Sequence, residues 1–289
     1  MSKLSTPADQ AAGADPVDAL IRSIRIPPRP TLLADMQREL ACADPSPEAI
    51  GRIVARDVGL AGALLKLANS SFYGGKRQAK SVQQAILFLG MNQVAALMTG
   101  LLARQALPAE GPALANFWDM STRRAQALVF LARRLRVGDP DVAHTFGLFC
   151  DTGVPLLMQR FDDYADTFAL AGATPERAFT AIEEERHSTS HAALGCLLAR
   201  NWGLSSHVGW AILHHHDYAV LDDAATDDAV RALVALSLLA ERAIQADQGQ
   251  AASLEWAKGG ARACAYFGLS DEESDELLDE LHEALHEDH

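Results

Sequence analysis

The chain is written almost throughout in the period of the α-helix. Apolar residues recur at steps of three and four between short polar interruptions, and no run alternates with the period of two that a half-buried strand needs. Ile26-Pro27-Pro28-Arg29-Pro30 reads as an extended entry, because each proline biases the residue before it away from helix. Ser46-Pro47-Glu48 supplies an N-cap, a proline at the first helical position and an early acid, which predicts a helix to about Arg56. Asp57 caps the next helix, with Leu60, Leu64 and Leu67 on its buried face. Ser71-Phe72-Tyr73-Gly74-Gly75 predicts a turn, Ser81 with Gln84 a capping box, and Val82, Ala85, Ile86 and Leu89 an inward face that Gly90 stops. Asn92 restarts the chain, with Val94, Leu97, Met98, Leu101 and Leu102 on one side. Further helices are predicted near 115–136, 141–150, 175–185, 188–202, 206–216, 227–246 and 251–266. The last begins at Ser270 with acids in its first turn, where the helix dipole favours them, and carries Leu277, Leu278, Leu281 and Leu285 as its stripe. The fold class is all-α.

Composition narrows the partners. With 289 residues, 49% of them hydrophobic and 22% charged, the chain has the make-up of a soluble globular protein with one sizeable core or two smaller ones. Its net charge of -13 repels phosphate backbones, so no nucleic-acid partner is expected. Cys42, Cys150, Cys196 and Cys264 lie far apart, without a Cys-x-x-Cys pair, as reduced cytoplasmic thiols do. Residues 1–19 have no apolar h-region, and no apolar run approaches the ~20 residues of a membrane span. The expectation is a cytoplasmic protein that does not engage a membrane.

Candidate chemistry concentrates in one stretch, for six of the ten histidines fall between positions 187 and 216. His187, His191, Leu194 and Leu198 follow one helix face from Arg186 to Trp202. Val208, Ala211, Ile212 and His215 do the same in the next segment, flanked by His214 and His216. An imidazole on an apolar stripe needs a polar partner, since an unpaired buried nitrogen costs about 1 to 3 kcal/mol. Asp151, the one charge within Phe146-Gly147-Leu148-Phe149-Cys150-Asp151-Thr152-Gly153-Val154, is the natural carboxylate. It is expected to cap a helix or to accept bonds from His191 or His215. His187 and His207 are expected to be partly exposed, and Arg123, Arg124, Arg133, Arg134 and Arg136 to form a solvated helix face.

Several ordered motifs resemble the HDOD family. In the first half these are Pro27-Pro28-Arg29-Pro30, Arg56-Asp57-Val58-Gly59-Leu60-Ala61, Leu67-Ala68-Asn69-Ser70-Ser71-Phe72-Tyr73 and Ala85-Ile86-Leu87-Phe88-Leu89-Gly90. In the second half they are Gly147-Leu148-Phe149-Cys150-Asp151-Thr152-Gly153, His191-Ala192-Ala193-Leu194-Gly195, Trp202-Gly203-Leu204 and His215-His216, and the likeness covers about residues 22–220. The resemblance implies an HD-like helical bundle over 22–224, preceded by a flexible N-terminus over 1–21 and followed by a C-terminal helical extension over 225–289.

It also implies a signalling domain related to HD-type metal-dependent phosphohydrolases, whose active sites use a His, a His-Asp pair and a distant Asp. Here Met120 stands at the first His position and Cys150-Asp151 replaces the pair. Val154 stands where active enzymes of the wider superfamily often carry a basic residue. His215-His216-Asp217-Tyr218 does not continue into Gly-Tyr-Pro. Met is a poor ligand for the ions that activate water. The expectation is therefore a non-catalytic regulatory module with no catalytic residue, whose residual site is Cys150, Asp151, His191, His215 and His216. Two alternatives stand beside it. One is a phosphohydrolase of altered chemistry, with a divalent metal on Asp151, His191, His215 and His216; the other is a nucleotide or metabolite sensor without turnover. No other cofactor is expected. Partners are expected among signalling proteins, with a homo-oligomer as an option, and Asn69 and Tyr73 as interaction residues.

Overall fold

Side chains that accept backbone N–H bonds set most of the helix starts. The structure, a computed structural model, describes residues 24–74, 78–107, 111 and 114–286; the N-terminus expected over 1–21 and the turn residue Gly75 lie outside them. The helices are α1 (Thr31–Leu40), α2 (Pro47–Val54), α3 (Val58–Ala68), a single turn α4 (Ser71–Gly74), α5 (Val82–Leu89), α6 (Met91–Ala106), α7 (Phe117–Leu135), α8 (Pro140–Phe149), α9 (Gly153–Arg160), α10 (Tyr164–Gly172), α11 (Phe179–His187), α12 (His191–Asn201) and α13 (Ser206–His214). A 3-10 turn, Tyr218–Asp222, leads to α14 (Asp228–Asp247), α15 (Leu254–Phe267) and α16 (Asp271–His286). Ser46, Asp57, Ser81, Asp139, Ser190, Ser205, Asp227 and Ser253 each cap the helix that follows, offering an oxygen to a first-turn N–H that would otherwise lack an acceptor. No strand occurs among the described residues.

Helices α1 to α6 close around Leu33, Met36, Ile50, Val54, Leu64, Val94 and Met98. The extended entry segment is tied down from the far end of the domain. The Trp202 indole donates to the Pro27 carbonyl at 3.0 Å, and Gln37 Nε2 donates to the Trp202 carbonyl at 3.0 Å. Helices α7 and α8 approach so closely that a Cβ on Gly147 would lie 2.6 Å from the Cα of Ala125. Behind them α14 lies against α7 and α13, and Leu236, Leu239 and Ile244 join the core that holds Leu128 and Leu131. Leu277 and Leu281 of α16 enter the same core, so the C-terminal extension is packed on the domain.

Two features depart from the periodicity. The stretch from Arg186 to Trp202 is not one helix: Ser188 is left-handed, with φ of 56°, and the chain turns there before Ser190 caps α12. Helices α9 and α10 have no counterpart in the expected elements. Pro155 stands in the first turn of α9, where a proline loses no bond. No single helix among the described residues is long and apolar enough to cross a membrane, and the apolar pair α5 and α6 is bent by 119°.

Candidate functional site

The end of α8 delivers Asp151 between α7, α12 and the end of α13. Cys150 caps α8, Thr152 donates its hydroxyl to the Phe149 carbonyl at 2.8 Å, and Asp151 projects from this tight turn. A Cβ on Gly153 would lie 2.0 Å from the His191 carbonyl oxygen, so only glycine lets α9 begin against the start of α12. That contact fixes His191 beside Asp151. Arg124 of α7 donates from Nη1 to Asp151 Oδ2 at 2.6 Å, and the two side chains are only 17% and 23% exposed. Burial by itself would raise the Asp151 pKa, but Arg124 and then His215 and His191 hold it well below the usual carboxylate range. Arg124 is thus turned inward, contrary to the solvated face its neighbour Arg123 suggests. Position 124 shares the stripe of Ser121 and Leu128 at helical spacing.

Three histidines face this ion pair, each with Nδ1 held by an acceptor. His191 Nδ1 lies 2.8 Å from both oxygens of Glu183, and its backbone N–H donates to Glu183 Oε2 at 3.2 Å. His215 Nδ1 lies 2.6 Å from the Ile212 carbonyl, and His216 Nδ1 lies 2.8 Å from Glu255 Oε2. These acceptors place the proton on Nδ1 in each ring and turn Nε2 toward the middle. The Nε2 atoms of His191 and His215 are 3.1 Å apart, and Asp151 Oδ1 is 3.7 Å and 3.5 Å from them. With both Nδ1 positions protonated, that contact is a hydrogen bond only when a further proton lies between the rings.

The surroundings agree. Burial alone would lower the pKa of His191, but Glu183 and Asp151 raise it. Burial likewise opposes the charged form of His215, yet Cys150 and the bond with Asp151 lift it to about 9. His216 is the opposite case, pushed down to about 3 by burial and by His215. Its ring stacks on Phe179, with centroids 4.7 Å apart.

A second tier of acids holds this cluster. Glu183 is fully buried on α11 and accepts the Tyr164 hydroxyl as well as His191. Glu255, at the start of α15, accepts Tyr218 at 2.6 Å and Lys258 at 2.7 Å besides His216; against the upward push of burial, these bonds bring its pKa to about 2. Glu241 of α14 lines the same hollow, and burial raises its pKa. Two cavities flank the Arg124–Asp151 pair. One, of about 230 Å3, reaches His215, His216, Glu241 and Glu255. The other, of about 310 Å3, opens between α7, α9 and α10.

All five residual-site positions read from the sequence, Cys150, Asp151, His191, His215 and His216, therefore meet in space. Met120 lies one turn before Arg124, lines the larger cavity and takes the Gln248 amide at 3.2 Å; from α7 it is Arg124 that reaches Asp151. His187, expected to be partly exposed, is buried, with Nε2 2.8 Å from the Thr167 hydroxyl. His207 is half-exposed. Asn69 and Tyr73 lie away from this cluster. Asn69 holds the main chain of Ala79 with bonds of 2.9 and 2.7 Å, and the Tyr73 hydroxyl is 2.8 Å from His144 Nε2. Both side chains are thus engaged within the fold.

Arg124, Tyr164, Glu183, Glu241 and Glu255 are the functional positions that the sequence reading missed. Phe179, Ile182, Glu183 and His187 share one face of α11, a signal that could have singled out Glu183. For metal, His191, His215 and His216 bring ligand atoms within 4.8 Å of one another, as do Cys150, Asp151 and His215. Such a donor set could hold a divalent ion, and Glu183 and Glu255 stand where outer-shell acceptors orient ligating histidines.

A family model for the HDOD domain matches residues 26–218. An uncharacterized protein of Treponema pallidum (strain Nichols) is 25% identical over 205 residues, 66% of this chain, and the chain spans only 38% of the length of that curated relative. Among solved structures, an HDOD domain protein of unknown function from Geobacter sulfurreducens superposes with a TM-score of 0.70 at 21% identity, covering 93% of this chain and 94% of that one. A candidate phosphohydrolase from Shewanella amazonensis SB2B gives 0.70 at 23%, covering 92% and 96%. A candidate signal transduction protein from Marinobacter aquaeolei VT8 gives 0.70 at 22%, covering 92% and 59%. At these identities the likeness fixes the fold, and the family match over two thirds of the sequence settles descent: the chain belongs to the HDOD domain family.

Proposed function

We propose that this HDOD domain is a non-catalytic regulatory module that acts through contacts with other proteins. The observation that carries the reading is the Arg124–Asp151 ion pair. A guanidinium 2.6 Å from the carboxylate neutralises the acid at the His-Asp position, which a phosphohydrolase of this descent would commit to metal. Its positive charge stands beside the place where a divalent ion would put its own. The expected His positions carry Met120 and Cys150 besides. In this arrangement Asp151 Oδ2 is committed to Arg124, so a dication at Oδ1 would share the carboxylate with a guanidinium. Were a metal held there, Asp151, His191, His215 and His216 would be its ligands, and the chemistry supplied would be activation of water toward a phosphate.

For the protein contacts, α3 and α5 offer Val58 and Leu87, large apolar side chains left 84% and 78% exposed. The test is the metal content of the purified protein by elemental mass spectrometry after stripping and re-exposure to Zn, Mn, Fe and Mg. The same samples are offered a chromogenic phosphodiester. The regulatory reading expects no stoichiometric metal and no turnover. One ion per chain, lost in a His191→Ala/His215→Ala variant and accompanied by hydrolysis, would establish the phosphohydrolase instead.

A further inference from the structure

The larger cavity has a composition that the regulatory reading does not use. Its walls are Phe117 and Met120 of α7, Val154 and Met158 of α9, and Phe168 of α10, and Arg124 lies at its polar end. Its volume of about 310 Å3 is that of a small-ligand pocket.

The polar groups around it are asymmetric. Both Asp151 oxygens are engaged, Oδ2 with Arg124 and Oδ1 facing His215 and His191. Ser121 donates its hydroxyl to the Phe117 carbonyl. Arg124 by contrast has five N–H groups and, among the described residues, spends them on Asp151 alone. The polar end thus offers donors and no free carboxylate, and the charge on those donors is positive. A ligand that satisfies both ends has an apolar body and an anionic acceptor head.

We propose that this cavity binds a small amphipathic anion, a medium-chain or aryl carboxylate in class, whose head shares the Arg124 guanidinium with Asp151 and whose apolar part lies among Met120, Val154, Met158 and Phe168. A guanidinium between two carboxylates is a stable arrangement, because its planar fork presents separate N–H edges to each. The site goes beyond the regulatory reading and does not depend on it.

The probe is octanoate, followed by isothermal titration calorimetry and by the shift in melting temperature, against octan-1-ol and octylamine as the neutral and cationic counterparts. The expected result is saturable binding of one octanoate per chain, with both counterparts at least about tenfold weaker because they lack a charged acceptor. Arg124→Leu removes the donors but strands Asp151 and threatens the fold. The decisive variant is therefore Ala165→Phe, on the exposed side of α10 at the cavity wall, which leaves the ion pair untouched. It is expected to keep the unliganded melting temperature and to lose octanoate binding. No saturable binding, equal affinity for octan-1-ol, or octanoate binding unchanged in Ala165→Phe would each overturn the proposal. Metal content is measured without octanoate, so the ligand site and the regulatory reading can fail separately.

Discussion

Arg124 and Asp151 define each other's state, and neither can be removed alone at small cost. Taking away one member of a largely buried pair leaves the other charge desolvated, which costs about 3 to 5 kcal/mol where burial is complete. With the pair about one-fifth exposed, Arg124→Met is expected to lose about 3 kcal/mol of stability, and Asp151→Ala a similar amount. Replacing both, as Arg124→Met/Asp151→Leu, removes the uncompensated charge and should recover more than half of the summed losses. Urea melts of the four proteins decide it; strictly additive losses would show that the two side chains are not coupled.

A second residue-scale prediction concerns His144. It is buried on α8, its Nδ1 has no hydrogen-bond partner among the described residues, and burial pushes its pKa down to about 4. An unfolded histidine titrates near 6.5, so as pH falls from 6.5 the unfolded chain takes a proton that the folded one refuses. Stability contributed by neutral His144 is complete above pH 6.5 and is lost toward pH 4, at about 1.4 kcal/mol per unit and about 3 kcal/mol in all. His144→Gln should flatten the stability profile in that window relative to the native sequence. An identical slope in both proteins would refute the assignment.

At the scale of elements, one glycine contact governs the site. Because α9 starts against the His191 carbonyl, a methyl group on Gly153 must push α9 away from α12 or shift His191 from Asp151 and His215. Gly153→Ala is expected to cost about 2 to 4 kcal/mol despite alanine's better helix propensity, through a clash with backbone that no rotamer relieves. Thermal melting measures it, and a neutral or stabilising effect would mean that the helices part without strain.

The same contact shows what was legible in the sequence. Caps and periodicity placed most helices within a few residues, and the motif Cys150-Asp151 with His191, His215 and His216 named the centre of the cluster. The acids behind it were harder to read. Glu183 stands in Glu183-Glu184-Glu185, where composition reads as a solvated run and only the rotation of α11 buries the first of the three. Arg124 reads as surface beside Arg123 until α8 brings Asp151 to it from 27 residues away. Helical spacing marks both as inward positions, Glu183 with Phe179, Ile182 and His187 and Arg124 with Ser121 and Leu128, but the partner each one meets is chosen by tertiary packing, which local pattern does not record.

For the whole molecule, the issue is whether the family domain stands without the helices that follow it. The family match ends at residue 218, yet Glu255 of α15 holds His216 and Tyr218, and Glu241 of α14 closes the hollow behind Asp151. Val230, Leu233, Leu236, Leu239, Ala240, Ala243 and Ile244 belong to the main core, together with Leu277 and Leu281. Removing them would bare an apolar face along α7 and α13, and burying a side chain of leucine size contributes about 1.5 to 3 kcal/mol. Several such side chains together exceed the 5 to 15 kcal/mol by which a typical domain is stable. A chain ending at residue 224 is therefore expected to lack a cooperative thermal transition and to expose apolar surface to a hydrophobic dye, while the full sequence melts as one unit. The single substitution Glu255→Ala separates packing from electrostatics: it leaves the core intact, and it should lower stability by about 1 to 3 kcal/mol by stranding His216, Tyr218 and Lys258. A stable, cooperative chain ending at 224 would make the extension an appendage. Failure of that chain, with Glu255→Ala only mildly weakened, would make the last three helices part of the folding unit, and α14 and α15 part of the wall of its site.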